Sequence, residues 1–247
     1  MLLEGKSAIV TGAGSGIGAA SAQLFAENGA TVLAVDVPGK DLAGTHKDHD
    51  AITALEQDIT EKDAPKKIVQ AALDVAGKLD IVFNNAGVGG GGLNAYDMPD
   101  ELWDRTMAVN VTAQFRLIRE AIPHLREAGS GRIINTASVM AEGTDYGLAA
   151  YCASKAGVAG LTRNIALEEG RYGITANYIE PGAIYTGMTE KNFVKDDIAD
   201  IWARKSALKR LGQPIDIAKG ALFLASDLGA FVTGHGLRVD GGLMLRV

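Results

Sequence analysis

The first 36 residues carry a pattern that few folds accommodate. A short apolar run over 7–11 (Ser-Ala-Ile-Val-Thr) leads into a glycine turn, Gly12-Ala13-Gly14-Ser15-Gly16-Ile17-Gly18. A stretch over 17–28 follows, in which Ile17, Ala20, Leu24 and Phe25 recur at helical spacing and Asn28-Gly29 forms a helix stop. The next run, 31–35, is continuous and β-branched, which suits a strand covered on both faces. The unit reads strand, glycine turn, helix, strand, with the two strands parallel.

The same alternation fills the chain. A weaker strand is expected over 54–57, a helix over 61–76 ending at Gly77, and a strand over 79–83. A long helix over 99–128 opens at Pro99, and Pro123 is expected to interrupt and kink it. Strands over 132–136, 174–179 and 237–239 are separated by helices over 150–169 and 214–226. This predicts an α/β protein with a Rossmann-type doubly wound, about seven-stranded parallel sheet and helices on both faces. With neither repeats nor a Ser/Pro-rich linker, 1–247 reads as a single nucleotide-binding domain. The segment around 183–212 breaks the rhythm and is expected to form a substrate lid.

Composition narrows the function classes. At 247 residues and 47% hydrophobic content the chain can bury a full core, and no apolar run reaches the ~18 residues of a membrane helix. The start has no basic region leading into a long apolar stretch, so no signal peptide is expected. A net charge of −6 argues against nucleic acid as partner. Cys152 is the sole cysteine, which excludes an internal disulfide and a cysteine metal cluster. The expectation is a soluble cytoplasmic protein with neither membrane nor nucleic-acid partners.

Glycines at the strand–helix turn let the backbone approach a pyrophosphate, and the helix start offers free N–H groups and a positive dipole end. The spacing is Gly12-x3-Gly16-x-Gly18, not G-x-G-x-x-G, since Ile17 and Ala19 stand where that pattern places glycine or leaves spacing free. Asp36 ends the second strand, where a carboxylate accepts ribose hydroxyls and repels a 2′-phosphate. Val37-Pro38-Gly39 puts no arginine behind it and position 15 is Ser, which favours NAD over NADP, although Lys40 is near.

Tyr151 and Lys155, four apart on a helical pattern, share one face about 6 Å apart along the axis. An ammonium there stabilises a phenolate, so Tyr151 could exchange a proton with an alcohol or carbonyl oxygen. That spacing alone is common on surface helices. Its setting gives it weight: Ser138 and Asn84-Asn85-Ala86-Gly87 each follow a strand, where open α/β sheets place ligand groups.

Over essentially its whole length the chain resembles the short-chain dehydrogenase/reductase family. The matching pieces are Thr11-Gly12-x3-Gly16-x-Gly18, Asp58-Ile59, Asn84-Asn85-Ala86-Gly87, Asn110, Ser138, Tyr151-x3-Lys155, Pro181-Gly182 with Thr186, and Val239-Asp240-Gly241-Gly242, all in order. The resemblance implies Tyr151 as general acid/base and Lys155 as the group that binds the nicotinamide ribose and lowers the Tyr151 pKa. It implies that Ser138 bonds the substrate oxygen and that Asn110 holds a water in a proton relay from Lys155. The cofactor would meet Gly12, Ser15, Gly16, Ile17 and Gly18 at the pyrophosphate, and Asp58 and Ile59 at the adenine. Asn85, Ala86 and Gly87 would line the adjoining loop, and Pro181, Gly182, Ile184 and Thr186 the carboxamide end. The resemblance also implies a homotetramer, in line with the apolar tail 243–247.

Other features are given plainer readings. His46-x-x-His49 with Asp48 and Asp50 lies in a polar connection and is read as solvated, so no metal is expected. Cys152 is read as a packed small residue. The run Gly89–Gly92 is either a loose loop or room for substrate. Met188, Phe193, Ile198, Ile201, Trp202 and Leu208 give the lid an apolar side, with Met140 and Tyr146 expected to face it. Substrate contacts are therefore expected from Ser138, Met140, Tyr146, Tyr151, Met188 and Trp202. The leading expectation is an NAD-dependent oxidoreductase acting on an apolar or cyclic secondary alcohol or ketone. The alternatives are a 3-oxoacyl-carrier-protein reductase, whose acidic partner could dock on Arg126 and Arg171, and a non-catalytic NAD sensor or scaffold.

Overall fold

The computed structural model describes residues 1–187, 189–190 and 198–245. Among these, the strands β1 Ser7–Thr11, β2 Thr31–Asp36, β3 Ile52–Glu56, β4 Ile81–Asn84, β5 Arg132–Thr136, β6 Thr175–Pro181 and β7 Gly236–Val239 form one parallel sheet. Their order is β3-β2-β1-β4-β5-β6-β7, the doubly wound arrangement. The order reverses between β1 and β4, and the carboxyl ends of these two strands open the crevice in which such sheets bind ligands.

The helices are α1 Gly16–Glu27, α2 Leu42–Thr45, α3 Ala64–Ala76, α4 Asp100–Met107, α5 Ala113–Ala128, α6 Ala149–Glu169, α7 Ile198–Lys205 and α8 Pro214–Ala225. Alternate residues along each strand feed opposite cores. Val10, Ala34, Phe83 and Ile134 pack with Phe25 of α1 and Ile217 of α8. Ile9, Leu33, Val82 and Ile133 pack with Ile68 of α3, Leu117 of α5 and Ile165 of α6. Covering on both faces explains the unbroken apolar runs.

Three local features differ from expectation. β3 starts at Ile52, two residues before the predicted strand, because its edge position leaves residues 53, 54 and 56 exposed and apolar patterning weak. Its span follows instead from pairing with β2, Val32 opposite Ile52 through Asp36 opposite Glu56. The single-turn α2 carries too few residues to show a helical period. The helix over 99–128 is not interrupted at Pro123, which lies inside α5. The departure from α geometry falls earlier, in a π-helical turn at Ala108–Thr112 that carries the buried Asn110. Such turns are drawn by side-chain partners and recur at functional sites.

A buried polar chain registers α6 on the sheet. Asn84 Nδ2 donates to Asn135 Oδ1 (2.9 Å), Asn135 Nδ2 to Thr162 Oγ1 (2.9 Å), and Thr162 Oγ1 to the Val158 carbonyl (2.7 Å). Among the described residues, no helix is long and apolar enough to cross a membrane, and no group of three or more His, Cys, Asp or Glu could hold a metal ion. Because Asn135 joins both neighbours, Asn135→Ala should lower stability by about 2–3 kcal/mol, measured by urea unfolding.

Candidate active site

A cavity of about 960 Å³ runs along the carboxyl ends of the strands, from Asp36 and Asp58 at one end to Ser138, Tyr151 and Pro181 at the other. The glycine turn forms part of its floor. Gly12 has φ +68°, and a Cβ there would stand 2.9 Å from Ala86 Cα. Gly18 does not line the cavity, but a Cβ on it would lie 2.1 Å from the Gly12 carbonyl oxygen, so its glycine serves the tightness of the turn. Thr11 Oγ1 accepts from the backbone N–H groups of Asn85 (3.1 Å) and Ala86 (3.2 Å), joining the turn to the loop after β4. Asp36 accepts from Gly14 N and Val37 N, both at 2.8 Å, which fixes its carboxylate at the cavity wall. Asp58 Oδ1 accepts from both N and Oγ1 of Thr60 and is fixed likewise.

At the other end Ser138 follows β5 as the cap of a short 3-10 turn, its Oγ accepting from Met140 N at 3.1 Å. Tyr151 and Lys155 lie in the first two turns of α6, and the Lys155 ammonium is 5.6 Å from the centre of the Tyr151 ring. Lys155 is buried and donates to the Thr136 carbonyl at 2.7 Å. Burial brings its pKa down from 10.5 to about 8. Burial pushes the Tyr151 phenol above its ordinary value, and its hydrogen bond with Ser138 pulls the other way. Without cofactor, burial is the larger of these two effects on Tyr151.

Asn110 is held by three hydrogen bonds. Its Nδ2 donates to the Val88 carbonyl (3.0 Å) and to Ser154 Oγ (2.9 Å), and its Oδ1 accepts from Val88 N (2.8 Å). The amide thus pins the loop after β4 to α6, and it stands behind the cavity wall rather than in it. A Cβ on Gly87 would stand 3.2 Å from Asn110 Oδ1 and 3.4 Å from Lys155 Nζ, so this glycine leaves room for the pair.

The remaining expected contacts divide. Ser15, Gly16, Ile17, Ile59, Asn85, Ala86, Gly87, Gly182, Ile184 and Thr186 line the cavity with the groups above. Met140, Tyr146 and Trp202 do not; Tyr146 is 94% exposed, and the Trp202 ring packs 4.4 Å under Lys205 Nζ. Met140 and Trp202 are half-buried away from the cavity, which apolar composition alone does not reveal. Met188 and Phe193, with Arg246 and Val247 of the tail, lie outside the described residues. Sequence reasoning missed Arg105, Val109, Gln57, Thr136 and Thr189 on the walls. Val109 beside Asn110 and Thr136 at a strand end carried positional signals; Arg105, a helix-surface residue, carried none.

The residues fit a dinucleotide. The glycine cradle that a Cβ would fill shares one cavity with a fixed carboxylate at Asp36 and the Ser138–Tyr151 pair. A doubly wound sheet with a glycine turn at one strand end and a Ser–Tyr pair at another, in one crevice, is the arrangement of a dinucleotide-binding oxidoreductase. Residues 12–244 match a family model described as enoyl-(acyl carrier protein) reductase. The chain is 36% identical to 3-oxoacyl-acyl-carrier-protein reductase of Thermotoga maritima, over 99% of this chain and 100% of that protein. It is 37% identical to 7alpha-hydroxysteroid dehydrogenase of Escherichia coli, over 97% and 94%. The crystal structure of carveol dehydrogenase from Mycobacterium avium in complex with NAD superposes with a TM-score of 0.94 at 31% identity, over 99% of both chains. The chain belongs to the short-chain dehydrogenase/reductase family, whose members are oxidoreductases that bind a nicotinamide cofactor.

The buried ammonium yields a stability prediction. A folded pKa near 8 against 10.5 means the unfolded chain binds more protons between these values, so Lys155 adds stability as pH rises through that window. Lys155→Met removes the buried charge, so its cofactor-free melting temperature at neutral pH should match or exceed that of the parent. The difference should shift in favour of the parent as pH rises from 8 toward 10.5, as calorimetry at several pH values would register.

Proposed function

We propose that the protein is an NAD-dependent dehydrogenase that interconverts an apolar or cyclic secondary alcohol and its ketone. The observation that carries this reading is one cavity with the Asp36 carboxylate fixed at one end and Tyr151, Ser138 and Lys155 gathered at the other. When bound, the nicotinamide supplies or accepts the hydride. Gly12, Ser15, Gly16 and Ile17 would hold its pyrophosphate, with Gly18 behind them keeping the turn tight, Asp36 the adenosine ribose, and Asp58 and Ile59 the adenine. Asn85, Ala86 and Gly87 would flank the sugar. Pro181, Gly182, Ile184 and Thr186 would close on the carboxamide.

As the phenolate, Tyr151 takes the alcohol proton on its oxygen in oxidation, and as the phenol it returns that proton to the carbonyl oxygen in reduction. Ser138 hydrogen-bonds the same substrate oxygen and fixes its distance from Tyr151. Lys155, held by the Thr136 carbonyl, places a positive charge one turn away, 5.6 Å from the Tyr151 ring centre, where an ammonium favours the phenolate. Asn110 holds the loop at Val88 against Ser154 of α6, the helix that carries Tyr151 and Lys155.

The carrier-protein reductase reading is disfavoured by one contact. Arg126 is bound through Nε and Nη2 to the two carboxylate oxygens of Glu169, both at 2.7 Å, and its guanidinium lies 4.0 Å over the Tyr172 ring. Its charge is neutralised within the fold, which weakens that surface as a dock for an acidic protein. Asp36 opposes the 2′-phosphate of NADPH as well. The relatives' names span acyl-carrier and steroid substrates, so a panel decides. With linear, cyclic, steroidal and 3-hydroxyacyl thioester alcohols, NADH formation is expected from an apolar or cyclic member with NAD⁺, and not from the thioester with NADP⁺. Tyr151→Phe should reduce turnover by about 10³-fold or more while NADH binding, followed by fluorescence, is retained. Surviving turnover would refute the mechanism.

A homotetramer belongs to the same proposal. Leu167 is 84% exposed, and Phe115, Leu228 and Phe231 also face outward. Sedimentation is expected at four times the chain mass; a single-chain mass would remove the claim.

A further inference from the structure

The link from β2 to β3 holds the one-turn α2 and then His46, part of the His46-x-x-His49 pair that the proposed chemistry leaves unused. His46 is 4% exposed, and its Nε2 lies 2.9 Å from the carbonyl oxygen of Ala13, inside the glycine turn. A carbonyl only accepts, so the ring proton sits on Nε2. Burial holds the imidazole below its ordinary pKa and keeps it neutral.

Neighbouring contacts hold this turn in place. Asp41 caps α2 by accepting from Gly44 N at 3.0 Å, and Gln23 of α1 donates to the Thr45 carbonyl at 3.0 Å. The Thr45 hydroxyl makes a weaker approach to the Gly14 carbonyl at 3.4 Å. From the opposite side, Ala13 N donates to the Val35 carbonyl (3.1 Å) and Gly14 N to Asp36 (2.8 Å). The first half of the glycine turn is thus gripped on its donor side by β2 and on its acceptor side by α2 and His46. The second half begins α1, whose first N–H groups have no intrahelical partner, and Gly16 and Ile17 line the cavity there.

We propose that His46 is a positioning residue for the cofactor: seated behind Ala13, it sets the aim of the glycine turn at the pyrophosphate. The proposal rests on the reading of this cavity as a dinucleotide site. An apolar side chain of similar bulk would fill the space but leave the Ala13–Gly14 peptide held at its N–H end alone, by Asp36, so that its plane could tilt and the donors that follow would move with it. A glutamine would restore the donor, because its amide nitrogen reaches the place of Nε2; an asparagine is one bond too short.

NADH and ADP-ribose, which lacks the nicotinamide, are titrated into the full-length parent, H46Q, H46N and H46L, following heat or fluorescence. H46L and H46N are expected to bind both ligands about tenfold more weakly, the worth of one hydrogen bond, and H46Q within about threefold of the parent. In turnover, KM for the cofactor should rise in step while kcat at saturation changes by less than about twofold. Parent-like binding by H46L or H46N, or H46Q as weak as H46L, would overturn the proposal. Either variant without the bond, H46L or H46N, decides if its thermal transition shows it folded. Failure of both to fold would make His46 a folding residue and likewise overturn it. A parent that binds neither ligand would refute the reading of the cavity, an outcome distinct from a parent and H46L that bind alike.

Discussion

Everything at the proton-transfer end depends on a single awkward group, the Lys155 ammonium, buried against the Thr136 carbonyl. A cation in that position lowers the stability of the cofactor-free fold, since burial has already brought its pKa to about 8. It persists because the surrounding structure over-determines it. β5 delivers the carbonyl at its end, and α6 delivers the lysine two turns from its start. The Asn84–Asn135–Thr162 chain fixes the depth at which the helix lies on the sheet. A shift of α6 would part the ammonium from its acceptor and move Tyr151 off Ser138 together.

The π-helical turn answers a related demand. Asn110 must face inward to bond Val88 and Ser154, and Ser154 in turn donates to the Tyr151 carbonyl at 2.7 Å. The inserted residue presents the amide to both partners without breaking the helix that continues as α5. The β4 loop, the π turn and the start of α6 therefore form one braced unit. Gly87 belongs to it because any side chain there would press on Asn110 and Lys155. Gly90 does too, where a Cβ would stand 3.2 Å from Tyr151 N.

The central strands were legible in the sequence because both of their faces are buried, which writes an unbroken apolar run such as Ile9-Val10 or Ile133-Ile134. The glycine turn was legible because only glycine fits at Gly12 and Gly18. What escaped has distant causes. The π turn is set by Val88 and Ser154, 22 and 44 positions from Asn110, and nothing at 108–112 announces it. β3 takes its limits from β2 across the sheet edge. Tyr146 was expected at the site because it follows the Ser138 strand, yet the intervening turn carries it to the surface. Pro123 was expected to disturb its helix, but local chemistry did not decide that segment; the packed face of Leu117, Ala121 and Leu125 did.

This division follows the division of labour in the cavity. Its cofactor end is made of strand ends and the turns tied to them, so few conformations are open and residue type reports position. Its substrate end is bounded by the loops after β4, after β5 and after β6, where a side chain's place depends on the course of several connections at once. His46 shows that the rigid end also draws on residues outside the motifs. The glycine turn fixes its own curvature, but its orientation needs contacts from behind, and a connection of one helical turn supplies them through a buried imidazole. A histidine pair in a polar loop suggests metal or solvent when taken along the chain. Seen from the turn it supports, it is part of the frame that holds the phosphate site in place.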